Sequence, residues 1–405
     1  MGQVVREGLA GTQAAATMRR ALDMCFARKT DLTVDQWAEK EVVLSAQHGV
    51  PKAMAGPYRS SRTPYTRWLQ QVFTDPDVET IVVMKAHQTG ATEAIFNLIR
   101  YVVANAMGDI LYAIDSKDEA KKLSRKRLRP SLQGCPACAK HIPDDSDRFQ
   151  LLFMHLYSCT VELVGGGTPG AFAQKNATWV ILDELDKYKY QLGAESGPWE
   201  LASDRGTAHD EGKQIGISTP TVESGKIHEL FLEGTQHKYH VPCPHCDHFQ
   251  VLEWDRMQFD HCRTDQMELG EQLNDEGHQP ATLGSYDQQR VLEETYYQCS
   301  NPDCPVGRID ESSKQEMVAR GEWRQTNFDA LPANVSMHIS ALVSPFKKMR
   351  WGRLAVMFLK ARGKVVKMQH FWNSILGLPF KSKSASIRRE HLLRLCGAYR
   401  PGELP

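Results

Sequence analysis

The chain has 405 residues, 41% of them hydrophobic and 24% charged, with a formal net charge of zero. That composition fits an ordinary soluble protein of roughly two or three domains and excludes a chain too polar to build a core. No apolar run reaches membrane-spanning length, since the longest candidate, 95–106, is broken by Asn97 and Arg100. The N-terminus "MGQVVREGLAGTQ" lacks a secretory apolar core, and Arg6 spoils a myristoylation signal after Gly2, so no membrane contact is expected and the chain should stay where it is made. The zero charge is a cancellation: residues 253–294 hold eleven acidic and three basic side chains, and 347–405 hold fourteen basic and two acidic ones. Such asymmetry suits a polyanion partner, or simply a solvated charged face. Ten cysteines in a chain that stays inside the cell point to metal or burial rather than disulfides.

In chain order, residues 1–56 have helical character without recognisable chemistry, and "GPYRSSRTPYTRWLQQVF" leads into a helix before the first strand. Strand 80–84, helix 92–106, strand 109–114 and helix 117–128 then alternate, followed by strand-like runs at 151–156, 160–164, 178–182 and 214–218. This alternation predicts an α/β fold with a largely parallel sheet covered by helices. Beyond Gly234 come cysteine pairs, short strands and a long polar insert, and two basic helices (351–362 and 366–376) close the chain before Pro379. The expected division is an N-terminal helical segment 1–56, an α/β core 57–235, a cysteine-bearing subdomain 236–330 with an acidic insert, and a basic helical segment 331–405.

The stretch "IVVMKAHQTGATEA" (81–94) reads strand, tight loop, helix, the plan of a phosphate-binding loop. Where the pattern G-x-x-x-x-G-K-[ST] wants lysine, Ala91 stands. Aligning Gly90-Ala91-Thr92 with G-K-[ST] puts Lys85 on the pattern's first glycine. From there a lysine stem can reach back over the loop, so the cation is expected from the loop's entrance. Gln88, Thr89, Gly90 and Ala91 would cradle the phosphates of ATP, and Thr92 would hold Mg²⁺. Alone, such a loop is a weak signal.

A second strand, "ATWVILDELDKY", ends in Asp183-Glu184, the form of a Walker B pair. Asp183 would share the Mg²⁺ and Glu184 would polarise the attacking water; a surface acidic turn is the bland alternative. A third run, "IGISTPT", places Ser218 and Thr219 at a strand end where they could sense the terminal phosphate, or merely form a turn. Together these elements predict a P-loop ATPase of the additional-strand (ASCE) type.

Cys243-Pro-His-Cys246 and Cys299-Ser-Asn-Pro-Asp-Cys304 form two short-spaced pairs, enough for one structural zinc site in a zinc-ribbon-like subdomain, with His245 facing solvent. Cys135 and Cys138 form a third C-x-x-C, read as reduced, unliganded thiols or, with His141 or Cys159, a second metal site; Cys25, Cys262 and Cys396 have no pairing logic. The run 117–129 carries seven basic and two acidic residues, and 347–367 carries eight basic and no acidic ones. Cations of this kind suit sequence-independent phosphate contacts with duplex DNA, while Trp351, Leu354, Met357 and Phe358 form a core-facing stripe.

The run "TPYTRWLQQVFTDPDVETIVVMKAHQTGATE" with "WVILDELDKY", "ISTPT", "YHVPCPHCDHFQVLEW", "YYQCSNPDC", "MVARGEWR", "MHISALVSPF" and "FWNSILGLPF", in that order, resembles the lambda-type (GpA) large terminase subunit of phage DNA-packaging motors. The resemblance covers most of 56–380. It implies phosphate and metal binding by Lys85, Gly90 and Thr92, metal binding by Asp183, catalysis by Glu184, and coupling through Ser218 and Thr219. Tyr65 would pack the adenine or belong to the core. Lys175 or Arg205 would donate a charge to the transition state, in cis or from a neighbouring subunit. Implied partners are double-stranded DNA, the small terminase subunit near residues 1–56, the portal of the procapsid, and copies of the chain in a ring. Family members continue into a nuclease, and because this sequence stops at "GAYRPGELP" without a strand-borne D…E…D pattern, ATP-driven translocation without DNA cleavage is expected. A helicase-like remodeller, or a zinc-bearing adaptor with a decayed ATPase, are the alternatives.

Overall fold

The computed structural model describes residues 30–46, 50, 54–167, 172, 176–188, 197–206, 211–264 and 283–381. Short β-branched runs build its centre: β1 (Thr80–Lys85), β2 (Ile110–Ile114), β3 (Phe153–His155), β4 (Thr160–Gly165), β5 (Trp179–Asp183) and β6 (Lys213–Ser218). Four later strands join the same sheet: β7 (His237–Pro242), β8 (Phe249–Val251), β9 (Glu322–Arg324) and β10 (Asn334–Ile339). The order is β8-β7-β10-β1-β6-β5-β2-β4-β3, with β9 paired to β7 outside that path. From β7 to β4 neighbouring strands are parallel, while β3, β8 and β9 are antiparallel additions. Strands buried on both faces need apolar side chains pointing both ways. This is why all five residues of β5 (WVILD) and all but Thr80 of β1 are buried.

Alternation along the strands sorts the core into two layers. Ile81, Val83, Tyr112, Ile181 and Ile217 face a layer that includes Ile95, Leu98 and Val102 of helix α3 (Ala91–Asn105). Val82, Met84, Leu111 and Leu182 face the other way, toward Trp199 and Ala202 of α5 (Pro198–Gly206) and Ile227, Leu230 and Phe231 of α6 (Lys226–Glu233). The earlier helices α1 (Val34–Glu41) and α2 (Tyr65–Val72) pack on the α3 side, and α4 (Lys117–Leu123) follows β2.

The sheet does not stop at 235/236, where the sequence suggested a division. β7 continues it, the chain leaves to form a three-stranded antiparallel sheet (Met257–Gln258, Tyr296–Gln298, Arg308–Asp310), and β10 returns in register beside β1. Pairing between segments some hundred residues apart leaves no local periodicity for a sequence reading to find. After β10, α7 (Trp351–Ala361) and α8 (Val365–Phe371) cover the small module. Trp351 and Leu354 are fully buried, and the Phe358 and Phe371 rings stand 5.0 and 4.7 Å from Trp254. The chain then passes under the loop after β1 at Gly377 (φ 66°), where a Cβ would lie 2.7 Å from the Ala86 nitrogen, so only glycine fits.

His338, on β10, donates from Nε2 to Leu376 O at 2.9 Å, and burial pushes its pKa down to about 4. The unfolded chain therefore binds a proton there from about pH 6.5 downward while the folded chain does not, and stability present above pH 6.5 is lost toward pH 4. Urea denaturation at pH 7 and pH 5 is expected to differ by on the order of 2 kcal/mol more in the native chain than in His338→Gln.

Candidate functional site

Lys85 closes β1, and its amine is almost wholly buried (5% exposed residue). The following loop is shaped by its neighbours: Ala86 N donates to Ile339 O at 2.8 Å, His87 N to Ser374 O at 2.8 Å, and Ser344 Oγ to Gln88 O at 2.9 Å. Gln88 (φ 55°) and Gly90 (φ 81°) take left-handed backbone, which turns the chain sharply into α3 with Gly90 as its N-cap. A fifteen-residue helix presents a strong positive end at this point. Lys85, Gln88, Thr89, Gly90, Ala91 and Thr92 together line a cavity of about 340 Å³.

β6 stands between β1 and β5, so the carboxylates at the end of β5 reach the loop across one strand. Lys85 Nζ lies 3.7 Å from Glu184 Oε1, and Lys187 Nζ lies 3.2 Å from Glu184 Oε2. Tyr112 OH donates to Asp183 Oδ2 at 2.6 Å, and the Glu184 N–H donates to Asp183 Oδ1 at 2.9 Å. Burial, with Glu184 beside it, holds the Asp183 pKa above the ordinary carboxylate range despite Lys85. Burial also pushes Glu184 upward, but Lys85 and Lys187 outweigh it and leave Glu184 below its usual value. Two adjacent carboxylates are thus driven apart in acidity by one amine and one extra cation. Glu184 itself sits in left-handed backbone (φ 56°), a strained placement that the surrounding bonds must hold.

Ser218 ends β6 beside this turn. Its Oγ accepts from the Asp186 N–H at 3.1 Å and donates to Thr219 O at 3.0 Å, while Thr219 Oγ1 is buried without a hydrogen-bond partner. Tyr65 is elsewhere: it is fully buried, its ring 6.0 Å from Tyr239, and it does not line the cavity. Tyr65 thus lies in the core, and Tyr58 is among the residues lining the cavity. Lys175 lies outside the described residues, and only the backbone place of Arg205, in α5, is described.

Glu93 and Arg127 are among the cavity residues that sequence reasoning missed. Glu93, next after Thr92, pairs through Oε1 with Arg100 at 2.8 Å and through Oε2 with Arg127 at 3.2 Å, and the Arg127 guanidinium lies over the Phe96 ring at 4.6 Å. Both Glu93 and Arg127 line the cavity. Arg127 belongs to the basic run 117–129, read above as DNA-facing; a π-helical turn at Ser124–Leu128 carries this arginine inward. The pairing spans 34 residues, so no local spacing announces it.

The four cysteines 243, 246, 299 and 304 converge, with all sulfurs within 4.8 Å of one another. Cys243 and Cys304 are 3.8 Å apart and Cys246 and Cys299 3.9 Å. Tetrahedral zinc with Zn–S of about 2.3 Å needs sulfur separations of about 3.8 Å, so the donors fit that ion. Gly307 N and the Asn301 and Gln250 amides point donors at the sulfurs, as thiolate ligands require. His245 is exposed. Cys135 and Cys138 turn their thiols toward Glu41 O and Arg100 O, outside any metal-type cluster among the described residues.

Residues 52–323 match the family described as phage terminase large subunit gpA, ATPase domain, and residues 334–405 match the terminase large subunit gpA endonuclease domain. The second match overturns the expectation that cleavage machinery is missing from this polypeptide. The tail misled because it is strongly basic and carries two acidic residues; its described part, from β10 to α8, packs with the ATPase sheet. No curated protein matches the chain. Among solved structures, the large terminase ATPase domain of Thermus phage P74-26 is similar, as a point mutant at 12% identity over 75% of this chain and 90% of that one (TM-score 0.40). The large terminase of bacteriophage HK97 is similar at 14% identity over 49% and 40% (TM-score 0.38). No helix among the described residues is long and apolar enough to cross a membrane.

Removing the buried amine leaves two adjacent carboxylates without their shared counter-charge. Lys85→Met is expected to cost roughly 2–4 kcal/mol at pH 7.5, with the deficit shrinking as pH falls to 5 and one carboxylate takes up a proton. Chemical denaturation across that pH range checks the sign.

Proposed function

The chain belongs to the gpA family of phage terminase large subunits and is an ATPase, and from that premise we propose that Lys85 supplies the phosphate-loop cation from the loop's entrance. The observation that carries this reading is the Lys85 amine, buried at the cavity that Gly90 and Thr92 line and already 3.7 Å from Glu184. An amine held there can turn from the carboxylate to the terminal phosphates of ATP without crossing the protein. The loop amides and the N-terminal end of α3 receive the phosphates, and Lys85 neutralises charge as the terminal phosphoryl group leaves. Thr92 and Asp183 would hold Mg²⁺, which supplies further neutralisation of phosphate charge.

Glu184, kept ionised by Lys85 and Lys187, orients and polarises the water that attacks the terminal phosphorus. When Lys85 shifts to the nucleotide, Glu184 loses part of its counter-charge and becomes a better proton acceptor. Binding of the substrate thereby activates its own base. Ser218 and Thr219 stand at the end of the strand between Lys85 and Glu184, where loss of the terminal phosphate is felt. Lys175 or Arg205, or the equivalent from a neighbouring copy, would complete the cationic shell.

The work done is translocation of double-stranded DNA into a procapsid, by a ring of copies that also meet the portal and the small terminase subunit. Support comes from the family and from the exposed cations of α4 and of 347–367, whose phosphate contacts would be independent of sequence. The cysteine module would carry structural zinc in its closed four-sulfur site and stabilise a small unit with little core of its own.

Glu184→Gln is expected to bind ATP within a few-fold of the native chain and to lose roughly 10²- to 10⁴-fold in DNA-stimulated turnover. Retained turnover would remove Glu184 from the reaction. The purified protein should contain about one zinc per chain, and Cys299→Ser should lose it together with much of the thermal stability; metal analysis with thermal denaturation checks both.

A further inference from the structure

Asp186 has no part in the mechanism above, yet its side chain is fully engaged. Its Oδ2 accepts from the N–H and the Oγ1 of Thr221, at 2.8 and 3.0 Å, and its Oδ1 accepts from the N–H of Ile227 at 2.7 Å. Its own N–H donates to Ser218 Oγ. Ile227 lies in the first turn of α6, whose N-cap is Gly225. That glycine has an ordinary φ of −69°, so backbone freedom does not explain it. Space does: a Cβ at 225 would sit 2.3 Å from Asp186 Oδ2.

One carboxylate thus fastens three pieces. The first is the turn that carries Glu184, two residues upstream. The second is the segment from Ser218 to Thr221 at the end of β6. The third is α6, which buries Ile227, Leu230 and Phe231 against the sheet and leads through Gly234 into β7 and Cys243. We propose that Asp186 is a positioning residue that transmits changes at the Glu184 turn to α6, and through β7 to the cysteine module. The inference rests on the reading of Glu184 as the residue acting on the terminal phosphate. When the charge around Glu184 rearranges, its short turn (Leu185–Lys187) moves with it, and the bonds from Asp186 oblige the N-terminus of α6 to follow.

The chemistry of the contact supplies a clean perturbation. Both oxygens of Asp186 face backbone N–H groups. In Asp186→Asn one of them becomes an NH₂, and in either orientation of the amide a donor meets a donor. Thr221→Val is the milder variant, deleting the Oγ1 donor while the backbone bond remains. The full-length chain is used, with ATP binding measured by calorimetry, DNA-stimulated kcat and KM, and hydrogen–deuterium exchange of residues 226–242 with and without a non-hydrolysable ATP analogue. Expected for Asp186→Asn are ATP affinity and KM within about twofold, kcat lowered about tenfold or more, and loss of the nucleotide-dependent exchange change in 226–242. Thr221→Val should show the same pattern at a few-fold reduction. A residue that merely supports the fold would lower the melting temperature and leave the nucleotide response of 226–242 in place, and that result overturns the proposal. So does a native chain whose 226–242 exchange ignores bound nucleotide. Failure of the native chain to bind ATP at all would sink the Glu184 reading as well, which separates the two failures.

Discussion

A lysine amine buried against a glutamate is the constraint on which this molecule turns. Placing Lys85 in a nearly dry site demands an anion within reach, and the sheet brings Glu184 to 3.7 Å. Burying Asp183 and Glu184 side by side demands a cation, and the same amine answers. The two carboxylates are thus balanced by Lys85 and Lys187, and under the proposed reading an incoming triphosphate would compete with Glu184 for Lys85. In a loop where lysine follows the second glycine, the amine starts from the helix. Here it starts from the strand, so Lys85 and Glu184 are already partners.

The topology makes this pairing achievable. Inserting β6 between β1 and β5 sets the carboxylate turn one strand away from the loop, at the span of a lysine stem, and puts Ser218 on the strand between them. β10 on the other side of β1 fixes the loop's first amide, and the segment after α8 fixes the next, so the residues matched to the endonuclease domain help shape the ATPase loop. The excursion from β7 to β10 hangs the cysteine module on the same sheet. The end of β5 and the cysteine module are thus joined through one sheet, with α6 lying between β6 and β7 in the chain.

Much of the site could be read from sequence because it depends on residues close together in the chain. Strand-loop-helix at 81–94, the apolar strand ending in Asp183-Glu184, and the paired cysteines are local patterns, and each folds as its spacing dictates. Reach and the family resemblance both single out Lys85, and neither says that Glu184 stands 3.7 Å from its amine. What escaped the sequence was non-local. Arg127 looks like one of seven cations on a solvated helix until a π turn swings it to Glu93, and β7 looks like a strand of a small separate unit until β10, from the segment read as helical, joins it to β1. Tyr65 belongs to an aromatic cluster that includes Tyr239 and Trp323, from far along the chain. The endonuclease match escaped because a basic tail with few carboxylates gives no sign of a metal-carboxylate centre.

The most direct test is a structure of the chain with Mg²⁺ and a non-hydrolysable ATP analogue. The account predicts the terminal phosphates in the loop formed by 86–92, with the Lys85 amine moved off Glu184 and within about 3 Å of a phosphate oxygen. An amine still bound to Glu184 while the nucleotide occupies the loop, or a nucleotide bound elsewhere, would contradict it.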